Sequence, residues 1–191
     1  MILTVKFPGL MLKNIQVFRN QEHFGSLKIG WPFSTKATIN CREFKWEIKE
    51  IASPEKKVQI TDLTDKELVG ETAINEKVNV TNTNQAVDPL VSVIKIGGNE
   101  YVLSENLKSP HQYAWINNNR GEIVHYDNIN LESSKSLPFT FKSYIMTCMP
   151  DNSTKEYLIL LFLGLYILRQ RAIKGTYHRV EPQAQESSSA Q

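Results

Sequence analysis

Charge of one sign, metal-type cysteine spacing and an apolar run of membrane length are scarce or missing in this chain of 191 residues, and each absence removes a class of function. The 22 Lys and Arg nearly cancel against 20 Asp and Glu, leaving a formal net charge of +2, and the basic residues are spread among acidic ones. No electrostatic footprint for a polyanion results, so nucleic acid is not an expected partner. The only cysteines are Cys41 and Cys148. They could pair in principle, but two thiols make no disulfide framework and read as small buried hydrophobes of a reducing compartment. His23, His111, His125 and His178 are dispersed, with no C-x-x-C or H-E-x-x-H, so no metal is expected. His111 and His125 could approach on adjacent hairpin strands, yet two histidines on a solvated sheet are the simpler account. There is no G-x-S-x-G, and a dyad of Cys41 or Cys148 with a histidine has no support beyond geometric possibility. Gly97-Gly98 is too short to cradle a phosphate and precedes no helix, so no nucleotide cofactor is expected. The opening MILTVKFPGLMLKN is broken by Lys6 and Pro8 and lacks a basic leader and a cleavage site, so it does not read as a signal peptide. A non-enzymatic, monomeric, cytoplasmic protein is the resulting expectation.

What the chain does contain is a contrast. Tyr157 to Leu168 read YLILLFLGLYIL, an almost unbroken apolar run in a chain otherwise made of short alternating segments. A helix apolar on every side must be surrounded by protein or by lipid. Twelve residues cover only about 18 Å of helix, against roughly 30 Å of bilayer hydrocarbon. Lys155 and Glu156 bound the run on one side, Arg169, Gln170 and Arg171 on the other. Ser153-Thr154-Lys155-Glu156 has the capping-box spacing of a soluble helix, and Gly175 supplies a plausible stop, giving a helix over 154 to 173. A buried core helix is therefore the leading reading, with a short C-terminal membrane span over 157 to 173 as its competitor.

Before residue 150, strands of four to ten residues are separated by Gly, Pro, Asn and Asp. VSVIKI and EYVLS flank Gly97-Gly98-Asn99 as a hairpin, and HQYAWI and EIVHYD flank a second turn, which places Tyr113, Trp115, Val124 and Tyr126 on matched faces. Phe139 to Met149 alternates as one long strand. Earlier strands are ILTVKF, IQVFRN, SLKIGW, TINCREFKWEIKEI, VQITDL, ELVGETAI and EKVNVTN. Within TINCREFKWEIKEI the apolar parity changes between Cys41 and Phe44, so either a bulge lies near Glu43 or both faces are partly buried, and the bulge is the preferred reading. The mixed charges from Arg42 to Lys57 suggest a solvated strand face. The tail 180 to 191 is polar, of low complexity and expected to be disordered.

About twelve strands in one open sheet would leave long edges and an exposed apolar face, so the expected fold is mainly β, a closed antiparallel barrel around the C-terminal hydrophobic α-helix. A series of about twelve strands followed by one hydrophobic helix, here from Lys155 to Ile173, resembles the tubby-like barrel shared by the tubby C-terminal domain, phospholipid scramblases and the plant LURP-one-related proteins. The resemblance spans residues 1 to 179 as a single domain and rests on architecture. It implies a barrel enclosing its own helix. The phosphoinositide-binding residues of tubby domains do not align onto this chain, and no acidic calcium loop is present. The cluster with a physical argument is Arg169, Arg171, Lys174, His178 and Arg179, where the apolar helix ends. Its cations could meet anionic phospholipid headgroups at a membrane surface, with Arg169, Arg171, Lys174 and Arg179 as the candidates. They could equally complement the helix C-terminus and solvate the barrel end. The expected function is thus a binding or scaffold module, cytoplasmic or peripheral to a membrane, with an enzyme of unrecognised site as a further alternative.

Overall fold

A computed structural model describes residues 2–7, 13–30, 35–51, 57–75, 91–105, 112–127, 142–147 and 154–178. Twelve strands precede one helix among them. The strands are β1 (Ile2–Lys6), β2 (Asn14–Arg19), β3 (Glu22–Ile29), β4 (Lys36–Cys41), β5 (Phe44–Ile51), β6 (Lys57–Asp62), β7 (Leu68–Asn75), β8 (Val91–Ile96), β9 (Asn99–Glu105), β10 (Tyr113–Asn117), β11 (Gly121–Asp127) and β12 (Lys142–Thr147). Helix α1 is Lys155–His178. The chain is mainly β, with every strand antiparallel to its neighbours in a single sheet. Consecutive strands pair throughout, from β1 with β2 to β11 with β12, and β1 also pairs with β12 through Leu3 opposite Ile145.

Alternation along each strand divides the sheet into two faces. Leu3 and Val5, Ile15 and Val17, Ala37, Ile39 and Cys41, Trp46 and Ile48, and Val58 and Ile60 are buried, and all join one hydrophobic cluster with α1. The residues between them, such as Thr4, Gln16, Thr38, Asn40, Glu47 and Gln59, are only partly buried, and Lys45 and Lys49 on either side of Trp46 and Ile48 are exposed. The second predicted hairpin has the expected matched faces: Tyr113 lies opposite Tyr126 and Trp115 opposite Val124, all four buried.

Turn chemistry accounts for several local differences from the sequence reading. Gly97 and Gly98, at φ 56 and 79, form a two-residue turn, and Asn99 is already in β9 opposite Ile96. No bulge interrupts the stretch from Thr38. Cys41 pairs directly with Phe44, and Arg42 sits at φ 54, so Arg42-Glu43 is a hairpin turn between two strands. A two-residue turn changes the parity of inward positions as a bulge would, which is why the pattern was ambiguous. Of the other predicted strands, EKVNVTN lies outside the described residues, as do Phe139 to Phe141, Cys148 and Met149, His111 and the tail.

Helix α1 begins one residue later and ends later than its sequence signals suggest. The Thr154 hydroxyl accepts from the Tyr157 amide at 3.4 Å, so Thr154 serves as the N-cap; Ser153 is outside the described residues. Glu156 is not turned back in a capping box: its carboxylate accepts from Tyr101 at 2.7 Å. Gly175 does not stop the helix, which continues to His178. Glycine weakens a helix interior by about 1 kcal/mol, a cost a single position can carry. Every residue from Tyr157 to Leu168 is buried, over about three turns and therefore on all sides. The partner of the apolar run is thus protein. No helix among the described residues is long and apolar enough to cross a membrane.

Candidate functional site

Polar groups reach α1 at three levels. At its start, the inward row of β6 runs Val58, Ile60, Asp62, so a carboxylate stands where the alternation calls for an apolar residue. Asp62 is only 3% exposed. It accepts from Lys155 Nζ at 2.7 Å, from Trp46 Nε1 at 3.2 Å and from the Thr64 amide at 2.9 Å. Burial alone would raise its pKa, but the Lys155 ammonium and the Thr64 hydrogen bonds outweigh this and hold it down at about 2, against an ordinary 3.8. Across the same end, Tyr101 donates to Glu156, and burial followed by the adjacent carboxylate pushes the phenol up to about 12. Gly97 leaves room for Glu156: a Cβ there would lie 2.6 Å from its Oε1.

A depressed folded-state pKa means that the Asp62 contribution is complete above the unfolded value and is lost as pH falls through the folded one. The protein is therefore expected to lose part of its stability between about pH 4 and pH 2. Asp62→Asn should be less stable at neutral pH and flatter across that window. Urea midpoints at pH 6 and pH 2.5 for both proteins check this, and equal slopes would remove the ion pair from the account.

At mid-helix, Trp115 Nε1 donates to the Tyr126 hydroxyl at 3.1 Å, and that hydroxyl is shared between the carbonyls of Leu160 at 2.8 Å and Leu161 at 3.1 Å. Burial drives the Tyr126 pKa well above its usual value, so it remains a neutral donor. Gly164 makes the approach possible, because a Cβ there would collide with Tyr126 and lie 2.9 Å from Trp115 Nε1. Nearer the helix end, the inward row of β5 continues from Trp46 and Ile48 to Glu50, whose Oε1 accepts from Tyr166 at 2.9 Å.

The predicted headgroup residues divide. Arg169 is fully buried beside Tyr166 and Glu50, and burial lowers its pKa. It is therefore not a surface contact for a headgroup, because the apolar helix carries it past Leu168 while still enclosed. Arg171 and Lys174 lie in the last turns of α1. Their side chains, and the whole of Arg179, fall outside the described residues. Cys41 is buried with its thiol 3.4 Å from the Phe24 carbonyl. Burial pushes it up to about 12, so it is an inert packing residue. His125 faces Glu122 at 3.4 Å. No three metal-ligating side chains gather among the described residues.

Sequence reasoning missed Asp62, read Glu50 into the solvated face of the mixed-charge stretch, missed Tyr101 and gave Glu156 only a capping role. The signal was present in the first two: each is an acid at the inward parity of an otherwise apolar row. Together these groups hold the helix in place, and their donors and acceptors are directed at one another rather than at an open site. Comparison with protein-family models, with curated proteins and with solved structures gave no match.

Proposed function

We propose that the twelve strands form a closed antiparallel barrel around α1, the arrangement implied by the tubby-like resemblance, and that this barrel is a non-enzymatic module that binds through its outer surface. The observation that carries the reading is the burial of Tyr157 to Leu168 on all sides. A space filled by the chain's own helix leaves no room for a substrate there. The pairing of β12 with both β11 and β1 supports closure. The ligand we assign is an anionic phospholipid surface, met by Arg171, Lys174 and Arg179 where the helix ends; Arg169 is dropped because it is buried.

Each cation near an anionic surface contributes about 1 kcal/mol, so removing three should weaken vesicle binding roughly a hundredfold. The experiment is flotation of the full chain with vesicles of phosphatidylcholine alone and with added phosphatidylserine. Wild type should float only with the anionic vesicles. Arg171→Glu combined with Lys174→Glu and Arg179→Glu should not float. Equal flotation of the two proteins, or none by wild type, overturns the lipid assignment.

A further inference from the structure

In sequence the lysines are scattered among acids, but the sheet gathers six of them at one end. Asp62, the last residue of β6, meets Lys155 at the start of α1, whereas Glu50, next to last in β5, meets Tyr166 further along the helix. The ends of the odd-numbered strands and the starts of the even-numbered ones therefore lie on the side toward which α1 runs. On that side each of the first six strands carries a lysine. Lys6 closes β1, Lys13 precedes β2, Lys28 is next to last in β3, Lys36 opens β4, Lys49 stands near the end of β5 and Lys57 opens β6. Neighbouring strands are about 4.8 Å apart, so the six occupy an arc of roughly 24 Å.

Register sets this arc apart from the mixed face that the sequence suggested. Lys36 lies directly opposite Lys49, and Lys6 directly opposite Lys142, two like-charge pairings that cost a sheet stability. Elsewhere in the sheet, facing charges are opposite in sign: Arg19 with Glu22, and Lys95 with both Glu71 and Glu100. The acids within the arc are already engaged. Glu47 pairs with Lys36 at 3.7 Å and Glu71 with Lys57 at 3.4 Å, while Glu50 accepts from Tyr166 with Arg169 beside it. Among the described residues no acid lies within ion-pair distance of exposed Lys28 or Lys49, and Lys6 sits over the Phe18 ring at 4.4 Å. Glu105 and Asp127 stand on the same side but at the ends of β9 and β11, so the arc over β1 to β6 keeps an excess of positive charge.

We propose that this lysine arc is the main contact of the protein with an anionic bilayer, which it meets end-on with α1 running toward the membrane. The inference rests on the lipid reading above and adds to it the contacting surface and the orientation. The six are all Lys, a hydrated point charge on a flexible stem that suits a diffuse anionic surface better than bidentate clamping of one phosphate. In the sequence, Lys6 and Lys13 flank PGLML, and Lys28 and Lys36 flank WPF. Cations beside leucine and tryptophan are the composition of a bilayer interface, which favours lipid over nucleic acid.

The test is flotation of the full chain with vesicles of phosphatidylcholine containing phosphatidylserine. Lys6→Gln with Lys28→Gln and Lys49→Gln should weaken binding roughly a hundredfold. Lys45→Gln with Lys66→Gln and Lys95→Gln removes the same charge from exposed positions at the opposite end of the sheet and should leave binding near that of wild type. Circular dichroism establishes that each variant is folded. If the first set floats like wild type while charge reversal at Arg171, Lys174 and Arg179 prevents flotation, the arc is overturned and the lipid reading stands. If the first set fails to float and the helix-end reversal floats, the arc stands and the helix end is removed from the lipid site. Equal weakening by the two lysine sets would mean that net charge alone matters and would overturn the end-on contact. No flotation by wild type overturns both proposals, and binding to a DNA duplex without flotation would make the polyanion a nucleic acid and overturn them as well.

Discussion

Leu161→Asp is expected to abolish folding. Leu161 is fully buried in the apolar run of α1, where its carbonyl already accepts from Tyr126. An aspartate there would have to lose its hydration as an anion or be forced neutral, and without a partner the cost is several kcal/mol or more. The lost leucine packing adds about 2 to 5 kcal/mol. Total stabilities of folded domains are about 5 to 15 kcal/mol, so the sum can consume all of it. The expected result is an insoluble product, or a soluble one without a β-sheet circular dichroism signal. Leu161→Ala, which creates a cavity but introduces no charge, should remain folded with a lower urea midpoint. If Leu161→Asp stays folded and is merely released from carbonate-washed membranes, the run from Tyr157 is an anchor and the buried-helix account fails.

Gly164→Ala should destabilise the protein by about 3 kcal/mol, although the same change in an exposed helix would stabilise it by about 1 kcal/mol. The sign reverses because the added methyl would occupy the position of the Tyr126 hydroxyl. Either the helix shifts or Tyr126 swings away, leaving Trp115 Nε1 and the hydroxyl buried without the bonds they now make. The effect should shrink only in part in a Tyr126→Phe background, where the colliding oxygen is gone but ring Cζ and Trp115 Nε1, at 2.5 and 2.9 Å from the added Cβ, remain, and a double-mutant cycle on urea midpoints measures that coupling. A stabilised Gly164→Ala protein would show that the glycine faces open space.

Inward alternation made much of the sheet readable. Ile39, Cys41, Trp46, Ile48, Val58 and Ile60 are apolar at every second position because one face of each strand meets the core, and that pattern needs no knowledge of partners. The parity change at Arg42-Glu43 was visible too, but a bulge and a tight turn alter parity alike, and only the pairing of Cys41 with Phe44 distinguishes them. Capping was misread for a related reason. Ser153 and Thr154 carry the same chemistry one residue apart, and the choice depends on where Glu156 finds its donor. That donor is Tyr101, distant in sequence.

By itself, the sequence determined that this protein would be built mainly of short strands and would carry one helix apolar on every side, to be enclosed by protein or by lipid, because local alternation and an unbroken apolar run are properties of neighbouring residues. Its alternation also carried Asp62 and Glu50 at inward parity, although the mixed charges from Arg42 to Lys57 pointed to a solvated face for Glu50. Only the tertiary structure decided what answers them: Lys155 for the first and Tyr166 for the second, each brought from α1. It likewise buried Arg169, which in sequence looked like a cation at an exposed helix end. The physical reason is that burial of a charge, and the partner that makes it tolerable, are set by contacts between segments far apart in the chain, on which the residues' own neighbours carry no information.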